Sequence, residues 1–377
     1  MTPSPPLPVE IVSQTSRLEA AVLALAGERE IAVDTESNSF YRYPEQMCLI
    51  QIAGSRNIYI IDTIVLTDIA PLKKVFEDSS VRKVIHGADY DIRTLDRHYG
   101  FRVRNLYDTS IAARFTGVTR FGLGDLLQDS LGITIDKCKR LQRADWGRRP
   151  LSAEELDYAS ADVFHLLKLH EVLELRLKDL GRTAWVAEEC ARLEEVKYTP
   201  ADPETAYLAV TESRNLAGRG LAVLRSLVQF REEEARRQHR PHFFIMPDSA
   251  LVFLAANPAA DLRQVPGLGQ NGLQRYGRGL RQALDAGIAA PPIKRPVVVW
   301  ERLSPAQSQR LGRLKAWRTS QGAALCLDPS LLYPAASLER LAKAPETLEG
   351  ELNSPEVRNW QREQFGASLR AFVKSIG

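Results

Sequence analysis

The stretch IAVDTESNSFYRYPEQMCLIQIAGSRNIYII, residues 31–61, decides the fold. It holds three apolar runs rich in branched residues, Ile31-Ala32-Val33, Met47–Ala53 and 58–61, joined by segments containing Pro44, Gly54 and Asn57. Short runs of this kind bounded by turn formers predict strands, and their short connections predict an antiparallel meander. Working outward, the pattern predicts a helix over 68–77, a strand over 83–85 and a helix over 89–99 closed by Gly100. A helical stretch over 124–131 and a loop over 136–150 follow. Ser152-Ala153-Glu154-Glu155 then fits the capping box of a helix expected to run to about residue 180. Strand patterns alternating with helix patterns define a mixed α/β domain.

The chain has 377 residues, of which 44% are hydrophobic and 26% charged, so two or three ordinary globular domains are expected. Two proline-rich breaks, Pro200-Ala201-Asp202-Pro203 and 290–296, divide it into 1–204, 205–290 and 297–377. The two rear pieces are helical and resemble each other. Phe230-Arg231, Pro247 and Leu280-Arg281 in one answer to Trp317-Arg318, Pro334 and Leu369-Arg370 in the other, a pattern of divergent duplication. Lys and Arg counted against Asp and Glu leave residues 1–210 at −6, 211–300 at +6 and 301–377 at +3. A basic appendage behind an acidic core suits a polyanionic substrate. Cys48, Cys138, Cys190 and Cys326 are scattered without a C-x-x-C, which argues against a zinc site and a disulfide framework. The N-terminus is proline-rich without a basic-then-apolar pattern, and no apolar run reaches spanning length. No membrane association and a cytoplasmic location are therefore expected.

Three short motifs carry chemistry. Asp34 and Glu36, separated by one residue at the end of a strand, point to the same face, where two like charges repel unless a cation joins them. Taken alone, such a pair is more often a solvated turn. In His86-Gly87-Ala88-Asp89-Tyr90-Asp91, a strand passes into a helix; Asp89 reads as a helix cap and Asp91 as the better metal ligand. Tyr158 and Asp162, four apart on the capped helix, share a face. His165 lies near that face by helical spacing, and Asp108 reads as a cap. Oxygen-only donors suit Mg²⁺ or Mn²⁺.

This ordered set resembles the DEDD exonucleases of the tyrosine-bearing subgroup, and within it the ribonuclease D family. The resemblance rests on Asp34-Thr35-Glu36, Tyr43-Pro44, Leu49-Ile50-Gln51, His86 with Asp91, Asp108-Thr109, Asp145-Trp146, Arg149-Pro150-Leu151 and Tyr158-Ala159 with Ala161-Asp162-Val163. It covers roughly residues 28–180, and the rear units look like HRDC domains, 211–287 more so than 317–375. It implies an α/β ribonuclease H-like exonuclease domain, a mixed sheet flanked by helices, followed by two small all-α HRDC-like domains. It also implies two divalent ions, Mg²⁺ or Mn²⁺, held by Asp34, Glu36, Asp91 and Asp162, with Tyr158 as the catalytic tyrosine. The implied activity is 3′-5′ trimming of single-stranded RNA ends, tRNA precursors and other stable RNAs, releasing nucleoside 5′-monophosphates. A DNA 3′-5′ exonuclease and a catalytically silent RNA-binding scaffold are the alternatives. Three linked domains suggest a monomer. Phe40, Tyr41 and Tyr43 are candidates for stacking on RNA bases, against packing in a hairpin; His86 is a further candidate for contacting the substrate, expected beside the metal ligands in a supporting, not catalytic, position. Arg231, Arg236, Arg237, Arg240, Arg275, Arg278 and Arg281 could track phosphates, although Glu232, Glu233 and Glu234 offer them partners within the helix.

Overall fold

The computed structural model describes residues 7–135, 139–295 and 302–376; Cys138 and the end of the second proline-rich break lie outside the described residues. The front of the chain builds a six-stranded sheet. Its strands are β1 (Val9–Val12), β2 (Glu30–Ser37), β3 (Met47–Ala53), β4 (Ile58–Asp62), β5 (Arg82–Ile85) and β6 (Leu106–Asp108), in the order β1-β4-β3-β2-β5-β6. The meander is present, β2 with β3 and β3 with β4 antiparallel, while β1, β5 and β6 pair in parallel, so the sheet is mixed. All of β3 and β4 is buried, which explains why they read as continuous apolar runs without alternation. Sequence patterning missed β1 and β6, which have four and three residues and are recruited by pairing with a neighbour.

Around the sheet lie α1 (Thr15–Leu25), α2 (Lys73–Glu77), α3 (Asp89–Tyr99), α4 (Thr109–Phe115), α5 (Leu123–Leu131), α6 (Lys139–Gln142), α7 (Ala153–Phe164), α8 (Leu166–Asp179) and α9 (Thr183–Glu194). The helix expected over 68–77 is only α2 behind one 3₁₀ turn, because Pro71 lacks an N–H and the Asp68 side chain takes the Ala70 N–H at 2.8 Å. The capping box forms at Ser152 and Glu155, but the long helix it opens breaks at His165 into α7 and α8. Packing explains the break: α7 lies on β2, β3 and β4, whereas α8, with Leu166, Leu169, Leu173 and Leu177 buried, leaves β3 and β4 and packs on β2, β5, α4 and α5.

The segment expected as loop over 136–150 is anchored, not free. It contains α6, and Trp146 within it is fully buried. Arg149 donates Nε to Asp62 Oδ2 at 2.6 Å and Nη2 to Oδ1 at 2.7 Å, and adds Nη1 to the Trp146 carbonyl at 2.7 Å. Asp62 is 4% exposed, so removing its cation strands a buried charge. Arg149→Met is expected to cost roughly 3 kcal/mol of stability, read from the chemical denaturation midpoint. An unchanged midpoint would show the pair to be energetically idle.

The second unit comprises α10 (Arg219–Gln238), α11 (His242–Ile245), α12 (Asp248–Ala256) and α13 (Gly269–Ala289). The third comprises α14 (Pro305–Leu325), α15 (Pro329–Leu332), α16 (Ala335–Lys343), α17 (Leu348–Leu352) and α18 (Asn359–Ile376). Their likeness is visible in one shared bond. Arg231 donates to the Met246 carbonyl and Arg318 to the Tyr333 carbonyl, both at 3.0 Å, each carbonyl just ahead of the proline that enters the next helix. Arg231 is therefore structural, and Arg236 and Arg237 are paired with Glu232 and Glu234, so a phosphate track through all seven arginines does not form.

The two units differ in where their cores lie. The second has its own, from Tyr207 to Leu284, whereas the apolar residues of the third join the core of the front domain. Trp360 stacks on Trp185 at 4.6 Å and meets Phe115 edge-on at 5.3 Å. Glu188 accepts the Asn359 and Trp360 N–H groups at the start of α18, and Glu189 accepts from Arg358 and the Trp360 indole. A fragment ending at residue 204 would expose Trp185 and Phe115, and by calorimetry it is expected to unfold at a lower temperature than the whole chain. Equal transition temperatures would mean that this interface contributes nothing.

Candidate active site

The site starts at the bulged end of β2, where the ladder to β3 shifts register between Glu36 and Ser37. Strand alternation sends Asp34 and Glu36 to one face, which α7 covers with Tyr158 and Asp162 one turn apart. Carboxylate oxygens of Asp34, Glu36 and Asp162 all come within 4.8 Å of one another. Burial first, and then the neighbouring carboxylates, push Asp34 and Glu36 well above the ordinary carboxylate range. Three half-buried acids drawn together in this way are costly unless a cation occupies the space between them.

Asp91 stands outside that group of three. It is 6% exposed on the first turn of α3 and accepts a hydrogen bond from Thr35 Oγ1 at 2.5 Å, so the residue between Asp34 and Glu36 holds it in place. Burial and then the Asp34 charge raise its pKa as well, which ties it electrostatically to the triad. Asp89, read from sequence as a cap, instead sits in the first turn of α3 with its side chain on Arg93 at 2.9 Å. Asp108 does the capping. Its oxygens accept from Ser110 at the start of α4 and from Gly87 and Ala88 in the turn before α3. That turn needs glycine, because Gly87 has φ +73°. Asp108 thus fixes the approach of the helix that carries Asp91.

A cleft of about 210 Å³ opens over these groups, lined by Asp34, His86, Tyr158, Asp162 and the apolar Leu123, Ile135 and Leu166. His86 is turned by Thr109, whose hydroxyl lies 2.9 Å from its Nδ1. His165 does not line the cleft; its ring packs on Phe164. Tyr158 rests on Trp146 with ring centroids 6.0 Å apart, the same tryptophan whose carbonyl Arg149 holds. Burial, and then the charges of Asp162, Glu36 and Asp34, drive the Tyr158 phenol above its ordinary value. It therefore stays protonated at neutral pH.

Of the aromatic candidates, Phe40 and Tyr41 remain exposed, Tyr41 donating to the Arg143 carbonyl, while Tyr43 is spent on Glu232 of the second unit. Gln51 has no periodic signal of its own within the apolar run of β3. It is fully buried opposite Asp34 in the β2–β3 ladder, and neither amide atom finds a partner among the described residues. An orphaned buried amide beside a half-buried acidic cluster is a further group suited to a bound water or ion. The residues present thus fit hard divalent cations: the donors are oxygens, half-buried, mutually repelling and without a cysteine or histidine among them.

A mixed sheet with an acidic cluster at the end of its central strand, followed by helical units, defines the class of a divalent-metal-dependent 3′-5′ exonuclease of ribonuclease H-like fold. The 3′-5′ exonuclease family matches residues 9–178 and the HRDC domain family matches 220–284. The chain is 32% identical to the ribonuclease D of Granulibacter bethesdensis over 98% of its own length and 92% of that protein. It is 33% identical to the ribonuclease D of Zymomonas mobilis over 97% and 94%. The crystal structure of Escherichia coli RNase D, described as an exoribonuclease involved in structured RNA processing, has the same fold, with a TM-score of 0.75, 22% identity and coverage of 98% and 99%. The chain belongs to the ribonuclease D family and is a 3′-5′ exoribonuclease. Among the described residues, no helix is long and apolar enough to cross a membrane.

Proposed function

We propose that the chain trims the 3′ ends of single-stranded RNA, tRNA precursors and other stable RNAs among them, releasing nucleoside 5′-monophosphates with two divalent cations, Mg²⁺ or Mn²⁺, in the acidic cluster. The observation that supports it most is the convergence of Asp34, Glu36 and Asp162 within 4.8 Å. These three would hold one ion; Asp91, tied to Asp34, would help hold the second. Two such ions, when bound, supply an activated water and stabilise the departing 3′-oxygen. Tyr158, a protonated phenol beside Asp162, orients the attacking water and does not remove its proton. The apolar lining of Leu123, Ile135 and Leu166 keeps bulk solvent from the reacting phosphate.

Phe40 and Tyr41 remain available to contact a base near the 3′ end, and His86 to line its path. The working units are 1–204, 205–290 and 297–377, and the protein acts as a cytoplasmic monomer. The test is digestion of 5′-labelled single-stranded RNA and its DNA counterpart with Mg²⁺, Mn²⁺ or EDTA, with Asp34→Ala alongside. A metal-dependent ladder shortening from the 3′ end of RNA, absent in the variant, supports the reading. If only DNA is shortened the substrate assignment falls, and if RNA is bound but untouched the protein is a scaffold.

A further inference from the structure

The second unit grips the front domain through one carboxylate. Tyr43 Oη donates to Glu232, 2.7 Å from Oε1 and 2.8 Å from Oε2, while Arg236 Nε and His242 Nε2 each lie 2.6 Å from an oxygen of the same group. The rings of Tyr43 and His242 stand 4.3 Å apart. Tyr43 is seven residues beyond Glu36, a reach of at most about 25 Å, so this latch holds the segment around His242 near the catalytic end of β2.

That segment shows an unusual division of apolar side chains. After His242 the chain reads Phe243-Phe244-Ile245-Met246; Ile245 and Met246 enter the core of the second unit, yet Phe243 and Phe244 are 54% and 46% exposed. Their rings lie 4.7 Å apart, and the Arg240 guanidinium sits 4.9 Å over Phe244. The presentation is fixed from both sides. His239 closes α10 in the left-handed region at φ 51°, turning the chain toward Arg240, and Arg231 holds the Met246 carbonyl from beneath. Two adjacent aromatic faces with a cation above one of them, on the stretch of chain that carries +6, match a polyanion with planar bases.

We propose that Phe243 and Phe244, with Arg240, form a platform on which unpaired bases of the RNA stack upstream of the 3′ end being removed. It rests on the single-stranded RNA substrate proposed above. Tyr43, a candidate for stacking in its own right, instead serves as the anchor that keeps this platform at the site. Base–aromatic stacking tolerates any sequence, so the platform would favour long unpaired tails without selecting among them.

The test compares the full-length wild type with a Phe243→Ala, Phe244→Ala double variant and a Phe243→Trp, Phe244→Trp double variant. Substrates are a trinucleotide, an RNA with an unpaired tail of about 15 nucleotides, and the same tail with abasic upstream positions, long enough to pass the active site and reach an aromatic platform. The alanine variant is expected to raise KM for the long tail relative to the trinucleotide by roughly ten-fold, with kcat for the tail retained. The tryptophan variant should keep the wild-type ratio, and abasic sites should raise KM in the wild type but not in the alanine variant. An unchanged ratio in the alanine variant overturns the platform and leaves the exposed pair to a protein partner. Equal losses on trinucleotide and tail overturn it too, by showing a merely structural role. If the wild type shortens neither RNA, the substrate reading itself has failed, a result distinct from both.

Discussion

Asp34→Asn is expected to lower the exonuclease rate by roughly 10³-fold or more while making the metal-free protein more stable. Asp34 is the acid nearest the centre of the arrangement: it lies within 4.8 Å of Glu36 and Asp162 and is the leading charge acting on Asp91. Removing its charge dismantles the cation site. The same change relieves repulsion, since Asp34, Glu36 and Asp91 all have raised folded-state pKa values caused first by burial. For acids shifted upward, the stability they contribute is fully present below the unfolded values near 4 and is lost as pH rises through the folded ones. In EDTA the transition temperature of the wild type should therefore fall between about pH 5 and pH 8, and Mn²⁺ should restore it by binding the folded form. Asp34→Asn should show a higher transition temperature at about pH 8 in EDTA, a flatter pH dependence and a smaller response to Mn²⁺. Scanning fluorimetry across that range reads all three. A variant less stable than wild type in EDTA would mean that Asp34 is held by some favourable contact and not by a cation.

Tyr158→Phe is expected to lower kcat about 10²-fold with metal binding intact. The ring would keep its place on Trp146, because only the hydroxyl is lost. Since burial and three neighbouring acids hold the phenol in its protonated form, its loss should reduce the rate without changing the shape of the pH–rate profile between about pH 6 and pH 9. Single-turnover rates, together with a Mn²⁺ titration followed by the transition temperature, separate the two effects. Unchanged turnover would remove Tyr158 from the mechanism; weakened metal binding would make it a structural support for Asp162.

Arg149 connects this prediction to the fold, because it holds the Trp146 carbonyl and Asp62 at once. No reading of 136–150 as a loop could have assigned that part, since Asp62 is 87 residues away in the chain. Gln51 was missed for a similar reason. A single glutamine in an apolar strand carries no periodic signal, and its meaning comes from standing opposite Asp34 in the ladder. Asp108 was read correctly as a cap, but its hold on the turn before α3 depends on a parallel pairing of β5 with β6 that three residues of strand could not announce.

What the sequence determined by itself was the chemistry that follows from local covalent geometry. Alternation along β2 puts Asp34 and Glu36 on one face, 3.6-residue periodicity puts Tyr158 above Asp162, and turn formers between apolar runs produce the meander of β2, β3 and β4. These depend on neighbours a few residues apart and need no knowledge of the rest of the chain. Tertiary structure alone decided where those pieces meet. It broke the long helix at His165, merged the third unit into the front core through Trp185 and Trp360, and joined Tyr43 to Glu232 across 189 residues. Each of these follows from burying apolar surface or partnering a half-buried charge between distant segments, and that energy belongs to the folded arrangement as a whole and to no single stretch of sequence.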